Sequence, residues 1–266
     1  MPRRPTFSEG TVVAAFGRQY EIELDGGGLA LCYPRGKKSE LACGDRVEAS
    51  LSAADHGVID RLLPRSTLLY RSVAHRQKLI AANASQAVIV VAAEPGFSDE
   101  LVTRCLVAAE CARLRALLVL NKTDLVDRIE AARRQLAPFR DLGYPVVELS
   151  ARHGAAALLP RLAGQCSVLV GQSGMGKSTL INALLPEAQA AVREISEALD
   201  SGKHTTTHAR LYRLDADGTA MKHAGQCLQV LAVLAIEPQG IDRLHVVPGE
   251  HVRSARRECT CGCPAR

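Results

Sequence analysis

The sequence predicts an α/β fold, with a doubly wound, mostly parallel sheet that follows a small five-stranded β-barrel. Three observations support this prediction. Short β-like runs separated by Gly-rich turns fill residues 7 to 63, strands and helices alternate after them, and a Gly-rich loop lies between a strand and a helix at Ser167 to Leu184. Alternation of this kind builds a parallel sheet, and ligands bind beyond the carboxyl ends of its strands.

The composition is that of a folded globular protein, because 47% of the 266 residues are hydrophobic and 23% are charged. The net charge of +5 suits a polyanionic partner, although a modest positive charge is also common in proteins without one. The start of the chain lacks an apolar export segment, and the longest apolar run, Ala87 to Ala93, is too short to span a bilayer. Most of the nine cysteines lie in apolar segments, which favours reduced, buried thiols. We therefore expect a cytoplasmic protein with no membrane segment.

Residues 1 to 63 are predicted to form the barrel. Their β-like runs recur at roughly 8–12 residues, the spacing typical of small barrels, and a five-stranded barrel of the oligonucleotide-binding type fits this length. Three basic residues share one loop, Arg35, Lys37 and Lys38. This loop either contacts RNA or is a solvated loop on a barrel used for packing, and the sequence leaves both open.

Leu63-Pro64-Arg65 is interpreted as a linker. The segment after it is predicted to contain the following elements in order: a buried strand at Ala87 to Ala93, a helix from Asp99, a strand that ends at Asn121, a helix at Ile129 to Leu136, a strand at residues 145–150, a short helix at Ala155 to Leu162, and a strand at Ser167 to Val170 followed by a helix. Every loop with a candidate site residue follows a strand, so these loops should meet at one edge of the sheet.

The Gly-rich loop has the spacing G-x-x-x-x-G-K-[ST] at Gly171, Gly176, Lys177 and Ser178. In this motif the glycines let consecutive backbone N–H groups surround a phosphate chain, and the helix that follows adds its positive N-terminal dipole. Lys177 would reach the β- and γ-phosphates and Ser178 would hold Mg²⁺. The alternative is a Gly-rich turn that caps an ordinary helix. The predicted phosphate-binding residues are Gly171, Gln172, Ser173, Gly174, Met175, Gly176, Lys177, Ser178 and Thr179.

A second motif, Asn121-Lys122-Thr123-Asp124, predicts that the base is guanine. The Asp124 carboxylate can accept two hydrogen bonds from N1–H and the amino group of guanine, and adenine has no such donor pair. Asn121 would contact the opposite edge of the base, and the stem of Lys122 would cover its face. At the next strand end, Ser150-Ala151 would place a backbone N–H near the guanine carbonyl. Alone, the same residues also suit a helix cap or a turn.

The order of the two motifs is inverted relative to ordinary GTPases, because the base motif here precedes the phosphate loop. In this order, and in the segments AANASQAVIVVAAEPGFS, LVLNKTDL, VGQSGMGKSTLINAL and ISEALDSGKHTTTHARLYRL, the chain resembles the circularly permuted GTPases of the ribosome small subunit-dependent GTPase A family. The resemblance implies a barrel at 1–63, a circularly permuted P-loop GTPase domain at 64–218, GTP/GDP and Mg²⁺ as ligands, and the small ribosomal subunit and its rRNA as partner. We expect a monomer.

The resemblance also implies a switch at Gly202 to Thr207, in which a threonine hydroxyl binds Mg²⁺ while the γ-phosphate is present. We assign this role to Thr206, with Thr205 and Thr207 as alternatives. His204 either orients water or contacts the ribosome, or it is an exposed loop histidine. Lys177, Thr206 and His204 are therefore the candidate catalytic residues. The family lacks a catalytic glutamine, which implies slow intrinsic hydrolysis that depends on a partner.

The resemblance ends in the tail, residues 219–266. The family's Asp-[Ser/Thr]-Pro-Gly segment, which senses the γ-phosphate, is absent from it. The family's zinc-binding domain would require a spaced Cys, Cys, His, Cys set, whereas the tail offers Cys259, Cys261, Cys263 and the upstream His251. Alternating cysteines can bind soft metals, so the resemblance makes these four residues a candidate zinc site, but three thiols so close together do not readily close a tetrahedral site. We interpret the tail as frame-altered or strongly divergent.

Three functions follow from these observations. The first is a GTPase that binds the small ribosomal subunit and assists its late maturation, with hydrolysis stimulated by the ribosome. The second is a guanine-nucleotide and RNA-binding module whose hydrolysis is impaired because the Asp-x-Pro-Gly segment is missing. The third is an ATP-dependent kinase that uses the phosphate loop, against which Asp124 argues.

Overall fold

The computed structural model describes residues 6–36, 41–52, 55–73, 76–185, 209–214, 228–233 and 244–248. Its first five strands form the barrel. They are β1 (Thr6–Phe16), β2 (Gln19–Leu24), β3 (Leu29–Pro34), β4 (Arg46–Leu51) and β5 (His56–Leu62). The second half of the described chain comprises β6 (Thr67–Val73), β7 (Arg76–Ala82), β8 (Gln86–Ala92), α1 (Asp99–Cys111), β9 (Arg115–Asn121), α2 (Val126–Asp141), β10 (Val146–Glu148), a 3-10 turn (Ala156–Leu158), α3 (Leu159–Leu162), β11 (Cys166–Val170), α4 (Lys177–Leu184), β12 (Ala209–Leu214), β13 (Leu228–Val233) and β14 (Leu244–Pro248).

The barrel is closed, as the sequence predicts. The strand order is β1-β2-β3-β5-β4, and β4 returns to pair with β1 from Thr6↔Leu51 to Thr11↔Arg46. Alternate residues of β2 and β3 are buried, which is the period-two pattern of a strand with one face in a core. The inward residues form a small apolar core of their own: Val12, Tyr20, Ile22, Ala30, Cys32, Val47, Ala49 and Ile59.

The α/β domain is built on the sheet order β10-β9-β8-β11-β13-β12. Five strands of this order are parallel to one another, namely β10, β9, β8, β11 and β13, and β12 is antiparallel to β13. All seven residues of β8 are buried, as expected for a central strand of a parallel sheet. Helices α1 and α2 bury one apolar stripe each, at Leu101, Val102, Cys105, Leu106 and Ala109 in α1, and at Ile129, Ala132, Leu136 and Phe139 in α2.

The sheet extends further than the sequence predicts, because β12 also pairs with β1 at Ala14↔Arg210. Barrel and α/β domain therefore share one eleven-stranded sheet. Strand β13 lies beyond residue 218, where we expected the α/β domain to end, and it pairs with β11 in the middle of that sheet. A second sheet, β14-β6-β7, is also absent from the sequence prediction. Its strand β14 comes from the tail as well.

The predicted linker is anchored rather than free. The Arg65 guanidinium donates to both carboxylate oxygens of Asp45, at 2.6 Å each. Asp45 is fully buried, and the Arg65 side chain is 6% exposed. Burial is the largest influence on the pKa of Asp45 and raises it, while Arg65 opposes that effect. This ion pair holds the segment that follows β5 against the barrel.

The contacts around the ion pair continue into the β6–β7 hairpin. The Ala82 N–H donates to the Cys43 carbonyl at 2.8 Å, and the Asn83 side chain donates to the Gly44 carbonyl at 2.9 Å. Cys43, Cys32 and Cys105 are buried and reduced as expected, whereas Cys111 is exposed. Within the described ranges, no helix is long and apolar enough to cross a membrane.

Candidate nucleotide site

The phosphate loop follows β11 and ends where α4 begins, as the motif requires. Gly176 is the residue before α4, with φ of 86°, a left-handed conformation that favours glycine. A Cβ atom at Gly176 would overlap the Asn121 side-chain amide, and one at Gly171 would overlap the Val90 carbonyl of β8. The loop therefore needs glycine at both motif positions because neighbouring strands approach it closely.

Lys177 is buried, with 5% of its surface exposed to solvent. Its ammonium donates to the Gly171 carbonyl at 2.7 Å and to the Gln172 carbonyl at 2.6 Å. These bonds hold the positive charge inside the curl of the loop, where the motif places the phosphates of a nucleotide. Ser178 is half-buried on the first turn of α4, next to Lys177.

Asn121 connects the phosphate loop to the two base-recognition loops. Its side-chain amide donates to the Met175 carbonyl at 2.9 Å, and its side-chain oxygen accepts from the Ala151 N–H at 2.9 Å. Asn121 is 1% exposed. The Ala151 N–H thus has a protein partner in Asn121, and the contact of a backbone N–H of Ser150-Ala151 with the guanine carbonyl stays a prediction. An amide group has two N–H donors, so one donor of Asn121 is left for a ligand.

Asp124 and Ser150 form the second contact between the base-recognition loops. The Ser150 hydroxyl donates to Asp124 Oδ1 at 2.5 Å. This hydrogen bond is the largest influence on the pKa of Asp124 and lowers it, with a smaller contribution from the positive charge of Arg152 nearby. The carboxylate is therefore held in its ionised form, which is the form that accepts two hydrogen bonds from guanine.

Lys122 reveals a third loop at the site, which the sequence did not predict. Its ammonium donates to the Glu94 carbonyl at 2.6 Å, and its stem passes over Gly176. Glu94 belongs to the turn that follows β8, and the ring of Pro95 in the same turn would lie 3.2 Å from a Cβ at Gly174. The only sequence signal for this turn is Pro95-Gly96, which we interpreted as the end of a strand.

The structure brings together the predicted residues that it describes: Asn121, Lys122, Asp124, Ser150, Ala151 and the loop from Gly171 to Thr179. The other predicted residues, Lys37, Lys38, Thr205, Thr206, Thr207, His204, His251, Cys259, Cys261 and Cys263, lie outside the described residues. Among the side chains that the structure describes, no group of three or more His, Cys, Asp or Glu is placed to hold a metal ion.

The site fits a nucleotide triphosphate with its Mg²⁺. Glycines occupy the two positions where neighbouring strands approach the loop closely, the Lys177 ammonium is held by loop carbonyls, and the Ser178 hydroxyl belongs to the first turn of the helix. Beyond them, an ionised carboxylate lies at the base end. Phosphate, magnesium and a purine edge require these donor and acceptor types in this order.

Comparisons with known proteins agree with this geometry. The family model described as RsgA GTPase matches residues 62–225. A small ribosomal subunit biogenesis GTPase RsgA of Nitrosospira multiformis is 52% identical over 228 residues, which cover 84% of this chain and 73% of that protein. The protein of the same name from Paraburkholderia xenovorans is 55% identical over 227 residues, which cover 82% of this chain and 72% of that protein.

Two solved structures share the fold. The crystal structure of YjeQ from Thermotoga maritima matches with a TM-score of 0.60 and 27% identity, over 90% of this chain and 81% of that one. The crystal structure of YloQ, described as a circularly permuted GTPase, matches with a TM-score of 0.52 and 26% identity, over 67% and 64% of the two chains. These matches confirm the predicted fold class, in which the base motif precedes the phosphate loop.

Proposed function

The chain belongs to the RsgA GTPase family, and from this premise we propose that it binds GTP, hydrolyses it, and assists late maturation of the small ribosomal subunit. The homologues named for small ribosomal subunit biogenesis support the process and the partner. The stimulation of hydrolysis by the subunit belongs to the same proposal.

The observation that carries the proposal is the pair of hydrogen bonds made by Asn121. They join the phosphate loop, through Met175, to the loop of Asn121 and Asp124 and to the loop of Ser150 and Ala151, and the bond from Ser150 to Asp124 joins the latter two. The two ends of one nucleotide are thereby recognised by segments that are fixed against each other. Such rigid placement favours selection for guanine, because a carboxylate that cannot move is left unpaired by adenine.

The residues of the loop bind and orient the triphosphate. Backbone N–H groups from Gly171 to Thr179 surround the β- and γ-phosphates, and the Lys177 ammonium exchanges its carbonyl contacts for phosphate oxygens. Ser178 and Thr206 are the proposed Mg²⁺ ligands, and the ion neutralises charge on the phosphate oxygens when it is bound. His204 is proposed to orient water at the γ-phosphate.

The barrel is proposed as the contact with ribosomal RNA, through the loop that begins at Arg35. The side chain of Arg35 is 70% exposed and pairs with Asp60 at the edge of the barrel. A partner of this kind places the protein in the cytoplasm, and we propose that it acts as a monomer. A zinc site at Cys259, Cys261, Cys263 and His251 remains a prediction on the family resemblance alone.

The alternative function is a guanine-nucleotide and RNA-binding module with impaired hydrolysis. The missing Asp-x-Pro-Gly segment favours it, because that segment supplies a γ-phosphate contact in the family that this sequence lacks. Both functions require nucleotide binding, so the turnover of GTP separates them.

Single-turnover hydrolysis of GTP, measured with and without purified small ribosomal subunits, tests the proposed function. We expect slow hydrolysis by the protein alone and faster hydrolysis with subunits. The Lys177→Ala protein, measured at the same GTP concentration, serves as the blank. Equal rates with and without subunits contradict the stimulation. Tight GTP binding with no turnover in either condition supports the binding module instead.

A further inference from the structure

Strand β12 is the only described strand that pairs with both the barrel and the nucleotide-binding sheet. On one edge it pairs with β13 over its full length, from Ala209↔Val233 to Leu214↔Leu228. Strand β13 in turn pairs with β11, which leads directly into the phosphate loop. On the other edge β12 pairs with β1 of the barrel. A displacement of β12 would therefore change the positions of both β13 in the nucleotide-binding sheet and β1 in the barrel.

Two ion pairs reach across β1 and attach β12 to the next barrel strand, β2. The Arg213 guanidinium donates to Glu23, and Arg210 Nη2 lies 2.9 Å from Glu21 Oε2, in a charge contact rather than an aligned hydrogen bond. Ala14 stands between Glu21 and Arg210 in the register of the three strands. Its small side chain lets the arginine reach over it.

These two pairs are sheltered from solvent. The side chains of Arg213 and Glu23 are 18% and 21% exposed, and those of Arg210 and Glu21 are similarly covered. Charges in such partly buried positions are screened less by salt than exposed ones. The barrel also contains an exposed pair of the same type, Arg61 and Glu48, which joins β5 to β4 and does not involve β12.

The predicted switch motif directly precedes β12 in the sequence. Thr206 comes four residues before Arg210. The strand that carries the ion pairs is the direct continuation of the segment that is proposed to respond to the γ-phosphate.

We propose that the Arg213–Glu23 and Arg210–Glu21 pairs couple a small ribosomal subunit bound at the barrel to the nucleotide site, as positioning residues for subunit-stimulated GTP hydrolysis. The inference rests on the proposed function and deepens it. A partner that moves or stiffens β2 acts on β12 through the two ion pairs. Strand β12 passes the change through β13 to β11, which leads into the phosphate loop. The coupling is reciprocal, so the nucleotide also changes the affinity for the subunit by the same factor.

A charge exchange tests the coupling. The variants are Glu23→Arg, Arg213→Glu and the double exchange, with Glu48→Arg, Arg61→Glu and their double exchange as matched controls. Glu23→Gln is measured alongside, because it keeps the size of the side chain and so does not depend on charge-reversed chains folding. The readouts are the hydrolysis rate without subunits, the ratio of rates with and without subunits, and the ratio of subunit affinities in GTP and GDP.

We expect each single change at Glu23 or Arg213 to lower both ratios about 5- to 10-fold while the rate without subunits is kept. The double exchange restores both ratios, and the control pair leaves them unchanged. The inference is overturned if the single variants keep the wild-type ratios, if the exchange restores neither, or if the control pair has the same effect. A wild-type protein without stimulation overturns the proposed function itself, and the inference with it.

Discussion

The nucleotide site and the junction between barrel and α/β domain are both built from distant parts of the chain. Only the site can be recognised from the spacing of its residues in the sequence. The site uses residues at fixed, short spacings, because a phosphate chain and a guanine edge demand the same donors and acceptors in every protein that binds them. The junction uses single residues such as Asp45, Arg65 and Asn83. Packing requires only that partners be complementary, so no spacing identifies them.

The largest effect that we predict lies at the junction. Arg65→Ala leaves the fully buried Asp45 carboxylate without its cation, which we expect to lower the free energy of unfolding by about 3–5 kcal/mol. Chemical denaturation measures this loss. Arg61→Ala removes a cation from the exposed pair with Glu48 and serves as the control, with an expected loss of at most about 1 kcal/mol. Similar losses for the two variants would show that the junction is no more important than a surface pair.

The second effect lies in the phosphate loop and reports on binding rather than stability. In Gly176→Ala the new Cβ meets the Asn121 amide in a left-handed backbone conformation. Strain of about 1–3 kcal/mol corresponds to a loss of GTP affinity of roughly 5- to 150-fold, measured by fluorescent-nucleotide titration. The control is Gly143→Ala, where φ is 92° but nothing lies within 4 Å of the added atom. If Gly143→Ala weakens GTP binding equally, the close approach of residue 176 to Asn121 is not the cause of the lost affinity.

The smallest effect concerns the hydrogen bond from Ser150 to Asp124. That bond lowers the pKa of Asp124 below its ordinary value of 3.8, so its contribution is present above that value and is lost as the pH falls through the lower pKa. In Ser150→Ala the acid limb of GTP binding should move to higher pH. The loss of affinity near neutral pH should be about 2- to 10-fold. A pH profile identical to the wild type would mean that Ser150 does not tune the carboxylate.

The same comparison explains how much the sequence could predict. The five barrel strands, the helices α1 and α2 and the strands β8, β9 and β11 follow from periodicity and Gly-rich turns, and the structure confirms them. The site residues from Asn121 to Thr179 were found because two motifs, in an unusual order, resemble one family. Their contacts in the structure, through Asn121 and Ser150, were not part of either motif's spacing.

The missed features share a physical cause. The places of strands β12 and β14 depend on partners far away in the chain, because β14 pairs with β6 and β12 pairs with β1. The Glu94 carbonyl that receives Lys122 is a backbone group, which any residue would offer. The bond from the Ala151 N–H to Asn121 could not be anticipated, because local sequence does not reveal which loops touch.

The most direct test of one guanine site made from two segments is a titration of wild type and Asp124→Asn with GTP and xanthosine triphosphate. Exchange of an acceptor for a donor at Asp124 should weaken GTP binding by at least about 100-fold and strengthen binding of the xanthosine nucleotide. Asp127→Asn, in the first turn of α2, is the control and should change neither. Unchanged affinity for GTP in Asp124→Asn, with no gain for xanthosine triphosphate, would contradict the account.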